Sequence, residues 1–320
     1  MPGENPRAPT ASEIVENLDY LFQKILTKTS KSVYSRAWTL FKNFLSIFHG
    51  ENNYQINLPL DTDQILQFIS YLNLYKFAPA SITTYMSAIS FVHKMSDLYD
   101  PTATFRVQKI LSTVNKLHGK EDSRLPITLF ILSRLTSALP SAVKNVYHRA
   151  LLQAMFTIAF FGLCRIGELT IQPDGVIALY LKQLQISSEF VSLSIIHFKH
   201  HKTQRPIQIK IFKQKDESIC PVLAMCKYLE LRKFDNGPLF CFPDGKPVPR
   251  TFMTKHLKAC LSLCSLDIKQ YTSHSFRIGG ASYLASLGLS DTQIRTIGRW
   301  DSNAFLRYIR NQRFIMNQSI

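Results

Sequence analysis

Apolar residues recur at helical spacing through the first third of the chain. Between Ser32 and Phe48, large apolar side chains return every three or four residues, which places them on one stripe of an amphipathic helix. The spacing continues to about residue 117, with turn residues between the repeats and no alternating stretch. This third is therefore predicted to be a helical bundle. Its predicted helices occupy residues 12–28 and 32–48, a segment capped by Asp61 or Asp63, a segment capped by Ser81, and residues 102–117.

The pattern changes in the remaining two thirds of the chain. Residues 144–163 are almost continuously apolar, which indicates a helix buried on all sides. Between 183 and 212, apolar and polar residues alternate in three short runs, which predicts a three-stranded antiparallel sheet. The predicted fold class is therefore mainly α with a small antiparallel β-sheet. Further helices are predicted at 127–139, 221–231, 250–264 and 292–297, and Gly279-Gly280 within a helical pattern predicts close helix packing.

A polar stretch separates the two patterns. It runs from Gly119 to Pro126, two residue types that interrupt regular structure. With 320 residues, the chain is long enough for two domains that each bury a core. The predicted organisation is a disordered leader at 1–11, a helical domain at 12–118, a linker at 119–126 and a second domain at 127–320.

The charge balance of the chain is strongly basic. Lys and Arg number 38 against 22 Asp and Glu, which gives a formal net charge of +16 and an isoelectric point of about 9.6. This excess favours a polyanionic partner, nucleic acid or an anionic membrane surface, although some basic soluble proteins have no such partner. No apolar run reaches membrane-spanning length and the N-terminus lacks a signal-peptide core. We therefore expect an intracellular protein, away from membranes, in the nucleus of a eukaryote or otherwise in the cytoplasm or nucleoid.

Cysteine and histidine spacing argues against a metal site. The six cysteines are scattered and include no C-x-x-C pair, so reduced, buried thiols are expected rather than a disulfide framework. His197, His200 and His201 lie close together, but no cysteine or carboxylate accompanies them. No segment matches a P-loop. The sequence therefore predicts no metal and no other cofactor.

Candidate chemistry concentrates in residues 271–310. His274 and Arg277 lie three residues apart, so on a helix both side chains leave the same face and can bind one anion. Arginine supplies a planar fork of donors, and histidine adds a proton donor or acceptor. Tyr308 follows Trp300 in the same stretch. A tyrosine hydroxyl, with an ordinary pKa of about 10, needs nearby cations to act as a nucleophile, and this stretch supplies them.

Four elements of the sequence, taken in order, resemble the signature of the tyrosine recombinases, the family of phage integrases, Cre-like enzymes and transposon-encoded recombinases. The C-terminal elements are the His-x-x-Arg pair and the Trp and Tyr that follow it. Upstream, Arg165 and Glu168 stand in a Gly-Leu-Cys-Arg-Ile-Gly-Glu-Leu segment. Lys202 stands in a basic turn between two predicted strands. The resemblance covers roughly residues 125–310.

Two features depart from the common pattern of that family. The interval from Trp300 to Tyr308 is eight residues, where many members have nine, and Ile278 follows Arg277 where many members have a second histidine. Tryptophan is a known alternative to histidine at the position of Trp300. These departures are typical of a subgroup, such as the one carried by eukaryotic mobile elements.

The resemblance implies a two-domain tyrosine recombinase architecture, in which a helical core-binding domain and a mixed α/β catalytic domain act on double-stranded DNA. It implies no cofactor, and it implies a homo-oligomer, a tetramer, on DNA. The implied catalytic residues are Arg165, Lys202, His274, Arg277, Trp300 and Tyr308, with Glu168 in a supporting role. The candidates for DNA contacts are Lys31, Arg36, Lys42, Lys76, Lys199, Arg250, Lys255 and Lys258.

The implied function is site-specific recombination or integration for a mobile element, through a 3′-phosphotyrosyl intermediate on Tyr308. Three alternatives stay open at this stage. A type IB topoisomerase-like enzyme would nick and reseal one duplex by similar chemistry, and a domesticated DNA-binding protein would no longer cleave. A purely structural helical protein would leave the Arg and His residues unexplained, with Arg165 and Glu168 forming a surface ion pair worth about 0.5 kcal/mol.

Overall fold

The chain divides into two compact units, Met1–Glu121 and Asp122–Ile320. Both units are mainly helical, and the second contains a three-stranded antiparallel sheet, so the predicted fold class is confirmed. Residues 1–9, most of the predicted leader, lie outside the described part of the chain. The structure, a computed structural model, describes residues 10–50, 56–119, 122–196, 206–301, 305–306 and 309.

The first unit packs its helices around an aromatic core. Its helices are α1 (Ala11–Lys24), α2 (Lys28–His49), α3 (Thr62–Leu74), α4 (Pro79–Met95) and α5 (Phe105–His118). Phe41 and Phe44 on α2 pack against Phe68 on α3, with ring centroids 5.0 and 5.5 Å apart, and all three side chains are buried. Of the two aspartates considered as the cap of α3, Asp61 has that role, because its Oδ1 accepts a hydrogen bond from Asp63 N at 2.6 Å.

Two helices of this unit begin or end at residues other than the predicted ones, because of a capping side chain and a proline. α1 ends at Lys24 rather than at 28, because Thr27 caps the next helix and its hydroxyl accepts a hydrogen bond from Ser30 N at 3.2 Å. α4 begins at Pro79, so Ser81 is not its cap. Proline suits the first helical position because the N–H that it lacks would have no partner there.

The second unit combines helices with the sheet. Its helices are α6 (Leu129–Ala142), α7 (Val146–Phe161), α8 (Ile166–Leu169), α9 (Pro221–Leu231), α10 (Arg250–Leu263), α11 (His274–Ser286) and α12 (Asp291–Gly298). Its strands are β1 (Leu184–Ile186), β2 (Phe190–Ile195) and β3 (Ile207–Phe212), in the order β1-β2-β3. Val191 on β2 pairs with Ile211 on β3, and both are buried, as the alternating pattern predicts.

α7 is a central helix of this unit and contacts α6, α9 and α11. Its apolar residues from Ala150 to Phe160 are buried around the helix, as the continuous apolar run predicts. α11 approaches it closely at Gly280, where a Cβ would lie 2.2 Å from the Phe160 carbonyl oxygen. The prediction of close helix packing is confirmed at this glycine. Gly279 instead faces the backbone of Ile127, ahead of α6, where a Cβ would lie 1.7 Å from the carbonyl oxygen.

The six cysteines all lie in the described part of the chain. Each carries a free thiol and five of them are buried, as their apolar surroundings predict. Across the described ranges, no helix is both long enough and apolar enough to cross a membrane. The same ranges contain no group of three or more His, Cys, Asp or Glu residues that could hold a metal ion. His197, His200 and His201 lie outside them.

Candidate active site

The end of α7 positions the first candidate residue. The helix stops at Phe161, two residues earlier than predicted, and Leu163 adopts a left-handed backbone with a φ of 47°. This conformation costs a residue with a Cβ about 1 kcal/mol. The Leu163 carbonyl accepts hydrogen bonds from the guanidinium groups of Arg277 and Arg299. Arg165 then occupies the N-cap position of α8.

Glu168 is a buried carboxylate that accepts three hydrogen bonds. Its Oε1 accepts one from Arg165 Nη1 at 3.0 Å, and its Oε2 accepts one from Arg165 backbone N at 3.0 Å and one from Arg299 Nη2 at 2.7 Å. The side chain is only 3% exposed. The alternative of a surface Arg–Glu pair is therefore wrong, because Glu168 is a buried anion shared by two guanidinium groups.

Arg299 is the residue of this cluster that sequence reasoning missed. It ends α12 in a left-handed conformation, with a φ of 56°, and its side chain is fully buried. Nη1 donates to the carbonyls of Gly162 at 3.3 Å and Ile297 at 3.0 Å, and Nη2 donates to that of Leu163 at 3.1 Å as well as to Glu168. No spacing in the sequence connects Arg299 to partners more than 130 residues upstream.

Arg277 is also fully buried, one turn into α11. Its Nη1 donates to the Leu163 carbonyl and its Nη2 to the Gly298 carbonyl. Its Cζ lies 3.9 Å from the centroid of the Trp300 ring, within the range of a cation–π contact. Nε has no hydrogen-bond partner among the described residues. Burial, together with neighbouring guanidinium groups, lowers the pKa of Arg277 to about 9, so the group remains a cation at neutral pH.

His274 begins α11 and is partly buried. Its backbone N donates to Thr272 Oγ1 at 3.2 Å, and Thr272 N donates to Ser275 Oγ at 3.0 Å, which fixes the start of the helix. Burial, followed by the positive charges of Arg124 and Arg277, lowers the pKa of His274 to about 4. The imidazole is therefore neutral at physiological pH, so one ring nitrogen can donate a hydrogen bond and the other can accept one.

The segment that follows the unit boundary contributes charge to this region. Arg124 forms a two-point ion pair with Asp122, with N–O distances of 2.7 and 2.8 Å. Leu125 N donates to the Gln270 carbonyl at 2.8 Å, which ties the segment to the loop ahead of α11. Arg124 and Asp122 both affect the pKa of His274. The second half of the predicted linker thus lies beside the candidate site.

Three predicted site residues, Lys199, Lys202 and Tyr308, lie outside the described residues. Two described neighbours of Tyr308 in sequence do pack near the candidate site. Phe305 is buried, with its ring centroid 5.9 Å from that of Trp300, and Ile309 packs against the hydrophobic cluster that contains both of these rings.

The expected DNA contacts that the structure describes are surface cations. Lys31 donates its Nζ to the Gln23 carbonyl at 2.7 Å. Arg250 lies beside α8, the helix that Arg165 caps: a Cβ added to Gly167 of that helix would be 3.5 Å from Arg250 Nη2. The exposed members of the set are Lys31, Arg36, Lys42, Lys76, Arg250, Lys255 and Lys258.

Three solved structures match almost the whole chain. The XerH site-specific recombinase bound to a palindromic difH substrate aligns with a TM-score of 0.65 at 17% identity, over 99% of this chain and 91% of that one. A lambda integrase dimer bound to a COC′ core site gives 0.62 at 12% identity, over 95% and 96%. The Tn1549 transposon integrase in complex with transposon right-end DNA gives 0.61 at 14% identity, over 91% and 92%.

The chain therefore has the fold of the tyrosine recombinases and integrases over nearly its whole length. No protein-family model and no curated protein sequence matches it. The likeness is thus one of structure, at low sequence identity.

Proposed function

We propose that the chain is a site-specific DNA recombinase or integrase that cuts and rejoins strands through a 3′-phosphotyrosyl link to Tyr308. The observation that carries this proposal is the convergence of Arg165, Arg277 and His274 in a fold shared with enzymes of that kind. Two separate segments, the start of α8 and the first turn of α11, supply these three side chains. Glu168 supplies one negative charge to this cluster, and a bound phosphate would balance the remaining positive charge.

In the proposed reaction, the Tyr308 Oη attacks one DNA phosphate. A bond forms between Oη and phosphorus, the bond from phosphorus to the 5′-oxygen breaks, and that oxygen leaves as a hydroxyl group. A 5′-hydroxyl from a second strand then attacks the phosphotyrosyl link, releases the phenol and completes the exchange. The tyrosyl ester retains the energy of the broken diester, so the cycle needs no ATP.

The described residues divide the work around the phosphate. Arg165 keeps part of its side chain exposed, at 24%, and supplies a fixed cation for the non-bridging oxygens as negative charge grows on them. His274, neutral at pH 7, hydrogen-bonds the same phosphate and moves protons to and from Tyr308. Lys202 protonates the leaving 5′-oxygen, and Trp300 closes the site with its indole ring.

Arg277 has a specific requirement in this scheme. Its guanidinium is buried, with the Trp300 ring at 3.9 Å, and both Nη atoms donate to backbone carbonyls. Contact between Arg277 and a phosphate oxygen therefore requires the segment with Gly298 and Trp300 to move away from the guanidinium. The Nε hydrogen, without a partner among the described residues, is the donor that such a movement would make available.

Double-stranded DNA is the proposed partner. The net charge of +16 and the exposed cations of both units support it, because Lys and Arg side chains bind phosphates and release counterions. XerH, lambda integrase and the Tn1549 integrase were each solved on DNA. From the family resemblance of the sequence we also propose assembly as a tetramer on DNA, action for a mobile element, and a location in the nucleus of a eukaryote or otherwise in the cytoplasm or nucleoid.

A nicked suicide DNA substrate carrying the ends of the chain's own element tests the proposal. Wild-type protein is expected to trap a covalent protein–DNA adduct, and Tyr308→Phe is expected to trap none. Tyr99→Phe, which alters an exposed tyrosine in the first unit, is the matched control and should behave as wild type. Absence of an adduct with wild type, or its persistence in Tyr308→Phe, would refute the assignment.

The same preparation separates the proposal from its two DNA-directed alternatives. A recombinase exchanges strands between two labelled duplexes, whereas a topoisomerase-like enzyme only relaxes supercoils on one. A domesticated binding protein would retard the duplex in a gel without forming any adduct. Recombinant product with both labels is the expected outcome.

A further inference from the structure

We propose that Arg299 is a positioning residue for Arg165, acting through the carboxylate that the two arginines share. Arg299 occupies one oxygen of Glu168 and so limits Arg165 to a single side-chain contact with the other. Arg165 then keeps donors for a phosphate. The catalytic consequence rests on the proposed function, whereas the structural consequence does not.

The acceptor pattern on Glu168 carries the inference. Oε2 is taken by Arg299 Nη2 at 2.7 Å and by the Arg165 backbone N at 3.0 Å. Only Oε1 receives a side-chain donor of Arg165, Nη1, at 3.0 Å. A carboxylate and an arginine prefer a two-point contact when both oxygens are accessible. Arg299 therefore prevents an arrangement that Arg165 and Glu168 would otherwise favour.

The backbone of Arg299 also contacts the Arg165 guanidinium. Arg165 Nη2 lies 3.5 Å from the Arg299 carbonyl oxygen, which is a weak contact that a phosphate oxygen can replace. The left-handed backbone at Arg299 is part of this arrangement. Arg299 thus supplies both the guanidinium that binds Glu168 Oε2 and the carbonyl that faces Arg165 Nη2.

The Arg299 side chain is not itself placed to bind DNA. It is fully buried, and among the described residues its Nη atoms donate to Glu168 and to the carbonyls of Gly162, Leu163 and Ile297. Its Nε is also buried and has no partner there, but, unlike those of Arg277, both of its Nη atoms are held by two acceptors each. A change at Arg299 should therefore alter the chemical step and leave DNA affinity almost unchanged. A phosphate-contacting arginine would change both.

Crystal structures of the wild type and Arg299→Met provide a test that does not depend on cleavage. Methionine is of similar length and donates no hydrogen bond, so Glu168 Oε2 loses its only side-chain donor and keeps only the Arg165 backbone N. Arg165 is expected to turn both Nη atoms, or Nε and one Nη, towards Glu168. An unchanged one-point contact would overturn the inference, whether or not the protein cleaves DNA.

Single-turnover cleavage of the suicide substrate tests the catalytic consequence. At saturating DNA, Arg299→Met is expected to form the adduct about tenfold more slowly or worse, with a DNA dissociation constant within about threefold of wild type. Adding Glu168→Gln removes the competing charge, so the double variant should cleave no more slowly than Arg299→Met alone. Multiplicative losses would show that the two residues act independently and would overturn the proposal.

Arg232→Met is the matched control. Arg232 is another buried arginine, 8% exposed, and it donates to the carbonyls of Phe234, Pro238 and Leu239, away from the cluster. Its loss should lower the melting temperature without slowing adduct formation by the folded fraction. If both arginine variants slow cleavage equally, Arg299 has only a general structural role.

Arg299→Lys keeps the test decisive if the methionine variant does not fold. An ammonium preserves the charge beside Glu168 but cannot span the same carbonyls. Because the ammonium can still donate to Glu168 Oε2, we expect Arg165 to keep its one-point contact and cleavage to stay within about threefold of wild type, again at unchanged DNA affinity. A loss of about tenfold or more in Arg299→Lys with the Glu168 contact retained would overturn the inference, because occupation of that oxygen would then not be what Arg299 contributes. Failure of wild-type protein to cleave would count against the proposed function alone.

Discussion

At the scale of the residue, His274 sits in surroundings that disfavour a positive charge. Burial and nearby cations lower its pKa from the ordinary 6.5 to about 4. In the unfolded chain it would regain the ordinary value, so between pH 6.5 and 4 the unfolded state binds more protons. The contribution of neutral His274 to the free energy of unfolding is therefore fully present above about pH 6.5. It is lost as the pH falls from there to about 4.

This linkage predicts a measurable difference for His274→Gln. Because the side chain is partly exposed and screened, we expect wild type to lose about 2 kcal/mol more than the variant between pH 7 and pH 4. Urea unfolding at several pH values measures it. His148 and His256, whose pKa values are also lowered by burial, are present in both proteins, so their contribution cancels. Parallel pH profiles would contradict the prediction.

One contact of the candidate site could be predicted from the sequence, and another could not. Local spacing predicts that Glu168 orients Arg165, and the two are in contact. It does not predict that Glu168 is buried or that Arg299 shares it, because that contact joins residues 131 positions apart. Spacing carries information within one helix or turn, whereas a buried charge depends on how distant segments meet.

At the scale of the element, α11 can approach α7 only because Gly280 lacks a side chain. A Cβ there would lie 2.2 Å from the Phe160 carbonyl oxygen and 2.4 Å from Leu163 Cδ2. Gly280→Ala is therefore expected to destabilise the second unit by about 2 kcal/mol or more, since one of two packed helices must shift. Thermal or urea unfolding measures the loss.

Gly167→Ala is the control for that substitution. The new Cβ would meet only Arg250 Nη2, at an ordinary 3.5 Å, and alanine is the better helix former. We expect unchanged or slightly higher stability. Equal losses in the two variants would mean that close helix approach is not the cause.

The positions of the longer helices followed from the apolar pattern, whereas the short α8 and several helix ends did not. α1 stops early because Thr27 caps the following helix, and α4 starts at Pro79. Both ends depend on single side-chain or proline effects, which compete with a periodic signal spread over ten or more residues. Likewise, α7 ends before a left-handed Leu163, a conformation that leucine rarely favours and that tertiary contacts impose.

At the scale of the whole molecule, the two units bury separate hydrophobic cores. The described core of the first unit includes Phe68, that of the second includes Phe156, and no described residue belongs to both. Phe68→Ala should remove about 3–5 kcal/mol from the first unit. Calorimetry is expected to show one transition moving to lower temperature while the other stays in place.

Phe156→Ala is the matched change in the second unit, where the ring lies 5.1 Å from that of Phe276. It should move the other transition. A shift of both transitions by either substitution would show that the units unfold as one. The two predicted domains would then not be independent units of unfolding.

The stacking of Trp300 on Arg277 gives the protein an optical label of its own. The chain has only two tryptophans, and the other, Trp38, lies in the first unit. In a Trp38→Phe background, excitation at a wavelength that the 13 tyrosines do not absorb would give emission from the indole beside the buried guanidinium alone. Rapid-mixing fluorescence could then follow, in real time and without any dye, the moment at which this ring separates from its cation.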